Sequence, residues 1–274
     1  MQVFDPSRHG AADDTRSTVE LAAAVAKIAK KKTLSAVYQP IFDLATGDPI
    51  GYEGLIRPGE NSGFSGAESL FVAAEATDRT VELDMACVEV VVANAHLKGA
   101  GQYLSLNISP RTLETEQFRV SDLLSRLEPH GIPPERIVVE LTERESIADL
   151  DRLVSNLNAC RAAGMRIAAD DVGAGSAGLR LLAQVSFDIV KVDLALVQGG
   201  VLHDSALAVL RALRDLTDTT HAQLVAEGIE TAEQLARLRA IDCRLGQGFY
   251  FSPALPADEV LEQVERGWPT ALTA

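Results

Sequence analysis

From about residue 102 onward, short apolar runs of strand length alternate with longer helical patterns. The runs cover 102–108, 136–141, 165–171, 187–192, 222–226 and 247–251. Helical patterns occupy 121–127, 149–163, 179–183, 205–216 and 231–240 between them. Such alternation forces parallel pairing with right-handed crossovers. With two earlier strands the count comes near eight, which favours a closed barrel over an open sheet. A chain of 274 residues suits such a barrel, which commonly needs about 250.

Those two earlier strands, 34–44 and 50–57, are joined by Thr46-Gly47-Asp48, a connection too short for anything but an antiparallel hairpin. Ahead of them, residues 1–33 read as a polar segment and a lead-in helix ending in Lys30-Lys31-Lys32, with the barrel proper over 34–270.

Polar residues gather at strand ends: Glu53, Asn107, Glu140, Asp170, Asp171, Lys191, Glu227 and Glu230. Barrel enzymes place their chemistry at the C-terminal ends of the strands. Asp170 and Asp171 close an apolar run and open a glycine-rich turn, Val172-Gly173-Ala174-Gly175-Ser176. Adjacent carboxylates repel, and a shared divalent cation relieves them most cheaply. Singly, each residue has an ordinary explanation as a cap, a surface ion pair or a snorkelling lysine. Together they form an oxygen-rich set without Cys or ligand-spaced His, which points to Mg²⁺ or Mn²⁺ rather than Zn²⁺. For phosphate esters, such a set would hold two ions about 3.5–4 Å apart.

Charge narrows the partners. A formal net charge of −14 argues against a nucleic-acid polymer or a membrane surface. Three scattered cysteines, Cys87, Cys160 and Cys243, form no CxxC pair and fit a reducing cytoplasm. Neither a signal peptide nor an apolar run of about 20 residues is expected.

In order and spacing, several stretches resemble the EAL-domain phosphodiesterases of bacterial cyclic di-GMP signalling. They are Tyr38-Gln39-Pro40-Ile41, Glu53-Gly54-Leu55, Asn107-Ile108-Ser109, Glu140-Leu141-Thr142-Glu143 and Asp170-Asp171. Lys191-Val192-Asp193, Ala226-Glu227-Gly228-Ile229-Glu230 and Gln247-Gly248-Phe249-Tyr250-Phe251 complete the set, which spans residues 34–265. The resemblance implies an α/β fold, a TIM-like (β/α)8 barrel with an antiparallel first strand. It implies metal-dependent hydrolysis of cyclic di-GMP to linear pGpG, with two Mg²⁺ or Mn²⁺ ions. Glu53, Asn107, Glu140 and Asp170 would hold one ion; Asp170 would bridge to a second, held also by Asp171 and Glu227. Lys191 would orient the attacking water, and Glu227 is also a candidate base. Glu230 would support from behind, and Glu143 would steady the loop after Asp171. Gln39, Leu55 and Arg57 would hold the substrate, with Gln247 lining the same pocket. A homodimer and a regulatory protein partner stay open, as does the rival of a receptor that binds without turnover.

The chain also departs from that pattern. Gly54 stands where the family's name-giving motif has Ala, and Pro58-Gly59 replaces an aromatic continuation. The loop usually reading DDFGTGYSSL is here DDVGAGSAGL, without its aromatics and Thr hydroxyl. A loop with less to bury is expected to order poorly and to weaken the second metal position.

Overall fold

The computed structural model describes residues 16–31, 33–97, 101–142, 147–173, 178–193 and 204–268. Strands β1 (Leu34–Asp43) and β2 (Pro49–Pro58) form the expected antiparallel hairpin, with Gln39 opposite Glu53. In its turn, Asp43 Oδ1 accepts the backbone N–H groups of Ala45 and Thr46 at 2.8 and 3.1 Å. Gly47 then takes φ 81°, a left-handed conformation that only glycine adopts without strain.

The sheet continues through β3 (Tyr103–Asn107), β4 (Ile137–Thr142), β5 (Arg166–Val172), β6 (Ile189–Val192), β7 (Gln223–Ala226) and β8 (Leu245–Gly246). Each is parallel to the one before. Strand β8 closes on β1 antiparallel, pairing Phe42 with Gly246 and Asp43 with Leu245. The result is a closed eight-stranded barrel with β1 reversed, and a short β9 (Leu255–Pro256) extends that edge of β1.

One strand is displaced from its expected place. The last barrel strand is Leu245–Gly246, and residues 247–251 form the turn beyond it. The β7–β8 ladder pairs just Leu245 with Val225 and Gly246 with Ala226. Gly248 then packs so tightly on Ile229 that a Cβ there would lie 2.2 Å from its backbone.

Helices wrap the barrel: α1 (Thr18–Lys31), α2 (Ala67–Ala76), α3 (Thr80–Asn94), α4 (Pro110–Leu113), α5 (Val120–Leu127), α6 (Leu150–Ala162), α7 (Gly178–Gln184), α8 (Asp204–Thr220), α9 (Ala232–Ala240) and α10 (Ala257–Arg266). The lead-in helix α1 packs on α2 and α3, burying Val25, Ile28 and Ala29, while Lys27, Lys30 and Lys31 stay exposed. No helix among the described residues is long and apolar enough to cross a membrane.

The interior is layered by the two-residue strand period. Ile41, Tyr103, Val138, Ala168, Ile189, Val225 and Leu245 come from seven strands and form one buried apolar cluster. Tyr103 fills space that its register partner Gly51 leaves, since a Cβ on Gly51 would lie 2.8 Å from the ring. Two residues further toward the C-terminal mouth stand Ser105, Glu140, Asp170 and Lys191 on the parallel strands, with Glu227 and Gln247 one residue past the ends of β7 and β8. Antiparallel β1 presents Gln39 at that level, opposite Glu53 of β2. An apolar plug thus lies directly beneath a polar layer.

Gly54 points outward, where a Cβ would lie 2.3 Å from Val91 Cγ1 on α3. Val91, β-branched and stiff in a helix, occupies the room an alanine methyl would need. Gly54→Ala is therefore expected to cost about 1–3 kcal/mol through overpacking. Adding Val91→Ala should recover most of that loss, as read from urea unfolding of both variants. Equal stability of Gly54→Ala and the parent protein would show that α3 yields and that the pair is not coupled.

Candidate active site

Lys191 organises the polar layer. Its ammonium, 1% exposed, lies 3.0 Å from Glu53 Oε2 and 2.9 Å from oxygens of Glu140, Asp170 and Glu227. Around it, Asn107 Nδ2 donates to Glu53 Oε1 at 3.0 Å. Gln247 Nε2 donates to Glu53 Oε2 and Glu227 Oε1, both at 2.8 Å. The Ser105 hydroxyl donates to Glu140 Oε1. Ser105 was not singled out in the sequence, although it lies two residues before Asn107 and so on the same strand face.

Asp170 and Asp171 sit at a β-bulge. Ala169 pairs with Val190 and Val172 with Val192, so two aspartates oppose the single Lys191. Asp171 takes φ 57°, a left-handed conformation that Asp tolerates better than most residues. The extra residue breaks the alternation that would send the two side chains to opposite faces. Val172, read as the first loop residue, is instead the buried end of β5.

The remaining expected residues divide. Gln39 Nε2 donates to the Ser252 carbonyl at 3.3 Å. Leu55 and Arg57 border a pocket of about 260 Å³ that Glu53, Asn107, Asp170 and Phe71 also line. Arg57 is exposed, and its Nη1 donates to the Ile56 carbonyl at 3.0 Å. Glu230 is exposed before α9; its backbone N–H donates to Gln234 Oε1 at 2.7 Å. Among the described residues its carboxylate has no hydrogen bond or ion pair with the cluster. Glu143 and Ala174 through Ala177 lie outside the described residues.

Electrostatics separate the carboxylates. Burial pushes Glu140 up, and Glu53 and Asp170 add to the push against the pull of Lys191, leaving its pKa at about 8. Burial likewise holds Glu227 well above the usual carboxylate range, despite Lys191. For Glu53, the same burial is outweighed by Lys191 and by hydrogen bonds from Gln247 and Asn107, and its pKa is lowered. Burial alone would strip the proton from Lys191, but Asp170, Glu140, Glu227 and Glu53 overcome it and keep the ammonium charged.

One ammonium has three hydrogens and one charge for four carboxylates. Asp170 Oδ1, though 2.9 Å from the ammonium nitrogen, is a buried oxygen without a hydrogen bond, and so is Gln247 Oε1. Oxygens of Glu53, Glu140 and Asp170 lie within 4.8 Å of one another, close enough to share a metal ion. These hard, anionic donors fit Mg²⁺ or Mn²⁺. A cation that takes the place of the Glu140 proton must release it, so binding should tighten as pH rises toward about 8. Mn²⁺ affinity is expected to climb roughly tenfold per pH unit below that point for each proton released. Calorimetry in buffers of different ionisation enthalpy should show proton release. Affinity that is flat with pH would mean that Glu140 is already ionised in the metal-free protein.

The profile of the EAL domain family matches residues 20–254. A signalling protein of Caulobacter vibrioides, itself uncharacterized, is 30% identical over 243 residues, covering 86% of this chain and 29% of that protein. The chain spans about a third of the length of the curated relatives it matches first. Among solved structures, the calcium and cyclic di-GMP complex of Klebsiella pneumoniae BlrP1 is 31% identical, with a TM-score of 0.74 over 81% of this chain and 56% of that one. BlrP1 is also solved with manganese and cyclic di-GMP. An EAL domain protein from Listeria monocytogenes is 25% identical, with a TM-score of 0.77 over 92% of this chain and 99% of that one.

Proposed function

Because the chain belongs to the EAL domain family, we propose that it hydrolyses one phosphodiester of cyclic di-GMP to give linear pGpG, using two Mg²⁺ or Mn²⁺ ions. The observation that carries this reading is the buried Lys191 ammonium in contact with four carboxylates that it cannot neutralise alone. Glu53, Asn107, Glu140 and Asp170 would hold one ion; Asp170, Asp171 and Glu227 would hold the other. When bound, the ions polarise the phosphoryl group and lower the pKa of water. Lys191 keeps its proton, and once cations take over the carboxylates that now engage its ammonium, a freed N–H would donate to the attacking water and orient it. Glu227, which touches the Lys191 ammonium and the Gln247 amide, would accept the proton that water loses. Leu55, Arg57, Gln39 and Gln247 hold the dinucleotide. Residues 34–270 form the catalytic unit, acting in the cytoplasm, with a homodimer or a regulatory protein as further partners.

Incubation with cyclic di-GMP and Mn²⁺ should yield pGpG. Asp171→Asn should lower turnover by about 10²-fold or more, by analogy with the loss of one electrostatic stabiliser, while cyclic di-GMP still binds. A variant within about threefold of the parent rate would remove Asp171 from the mechanism. Tight binding of cyclic di-GMP by the parent protein without pGpG would make the chain a receptor instead.

A further inference from the structure

We propose that Asp84, a buried carboxylate on α3 outside the barrel, is a positioning residue for Asn107 and through it for metal binding. The inference rests on the metal-dependent reading of the site. Asp84 is 1% exposed, and its Oδ2 accepts the Ser109 backbone N–H at 3.0 Å and the Thr112 hydroxyl at 2.5 Å. Both donors belong to the single turn that follows β3. Ser109 caps α4, its Oγ accepting the Arg111 N–H at 3.1 Å.

Only Ile108 separates this anchored turn from Asn107. Ile108 is buried, and its N–H donates to the Glu140 carbonyl at 3.1 Å. The backbone that carries Asn107 is thus tied on one side to the strand of Glu140. Through Asp84 it is tied on the other side to α3. With that backbone fixed, Asn107 Nδ2 reaches Glu53 Oε1 and its own Oδ1 remains available to a cation. Burying a carboxylate costs several kcal/mol unless strong hydrogen bonds offset it. Here its hydrogen bonds hold the one turn next to a metal-ligand candidate. The same helix lends Cys87, Val88 and Val91 to the pocket wall, so α3 carries that wall and the anchor of Asn107 as one body.

Mn²⁺ affinity, measured by calorimetry on the full chain without substrate, tests this alongside kcat, KM and Tm. Asp84→Ala is expected to weaken Mn²⁺ binding by about 10–100-fold, the usual cost of losing a group that orients a ligand. Asp84→Asn keeps an oxygen that can accept both donors and should stay within about threefold of the parent. Thr112→Val removes one donor at nearly constant volume and should fall between them, which keeps the test decisive if Asp84→Ala does not fold. Lowered Tm with unchanged Mn²⁺ affinity in Asp84→Ala or Thr112→Val would make Asp84 a purely structural anchor and overturn the proposal. A parent protein that binds no Mn²⁺ would overturn it together with the metal reading. Graded Mn²⁺ losses in a parent that binds the metal but forms no pGpG would uphold it, and only the hydrolase assignment would fall.

Discussion

Removal of divalent cations from the purified protein should abolish cyclic di-GMP hydrolysis, and Mn²⁺ or Mg²⁺ should restore it. The expected loss exceeds about a thousandfold. Removing a single electrostatic stabiliser typically costs about 10²–10³, and chelation withdraws at once both ions that would neutralise the phosphoryl oxygens. Lys191 cannot substitute for them, because Glu53, Glu140, Asp170 and Glu227 already engage its ammonium. Ca²⁺ should occupy the site without supporting turnover, since its larger radius and looser coordination misplace the water. Full activity after exhaustive chelation would sink the two-ion reading and leave Lys191 and Glu227 as an unaided acid–base pair.

The order of strands, the reversed first strand and most of the polar layer were legible in the sequence for one reason. Strand period and strand-end position are local properties. Glu140, Lys191 and Asn107 interrupt apolar runs, and burying such groups unpaired is costly enough to mark them. What depended on pairing was not legible. The bulge at Asp170 and Asp171 is a mismatch between β5 and β6, and neither strand shows it alone. Ser105 sits among apolar neighbours and reads as a tolerated small residue until Glu140 is placed beside it. The aromatic run Phe249-Tyr250-Phe251 has strand propensity and draws the expected last strand to 247–251, whereas on that side of β7 the ladder pairs Val225 and Ala226 with Leu245 and Gly246. Gly54 looked like a small deviation from a motif; its cause lies 37 positions along the chain in Val91.

Lys191→Met should separate the two roles proposed for the lysine, neutralising the carboxylates and orienting the water. Met approximates the length of the side chain but brings no charge and no donor, so four carboxylates lose their shared internal cation. Removing one partner of a buried ion pair typically costs about 3–5 kcal/mol. In the metal-free protein the carboxylates recover part of this by taking up protons, as the raised pKa values of Glu140 and Glu227 already foreshadow. Added cations then supply the missing charge, so Mn²⁺ should raise the Tm of the variant by more than it raises that of the parent. The catalytic loss should survive this rescue. With both ions bound, the attacking water still lacks its ammonium donor, and kcat should fall by about 10²–10⁴ while KM changes little. Thermal unfolding with and without Mn²⁺, together with kcat and KM at saturating metal, reads both effects in one protein. A defect confined to KM would make Lys191 a substrate anchor. Full recovery of kcat by Mn²⁺ would reduce it to a placeholder for charge, because a lysine whose only task is to neutralise Glu53, Glu140, Asp170 and Glu227 has nothing left to do once two cations occupy the same carboxylates.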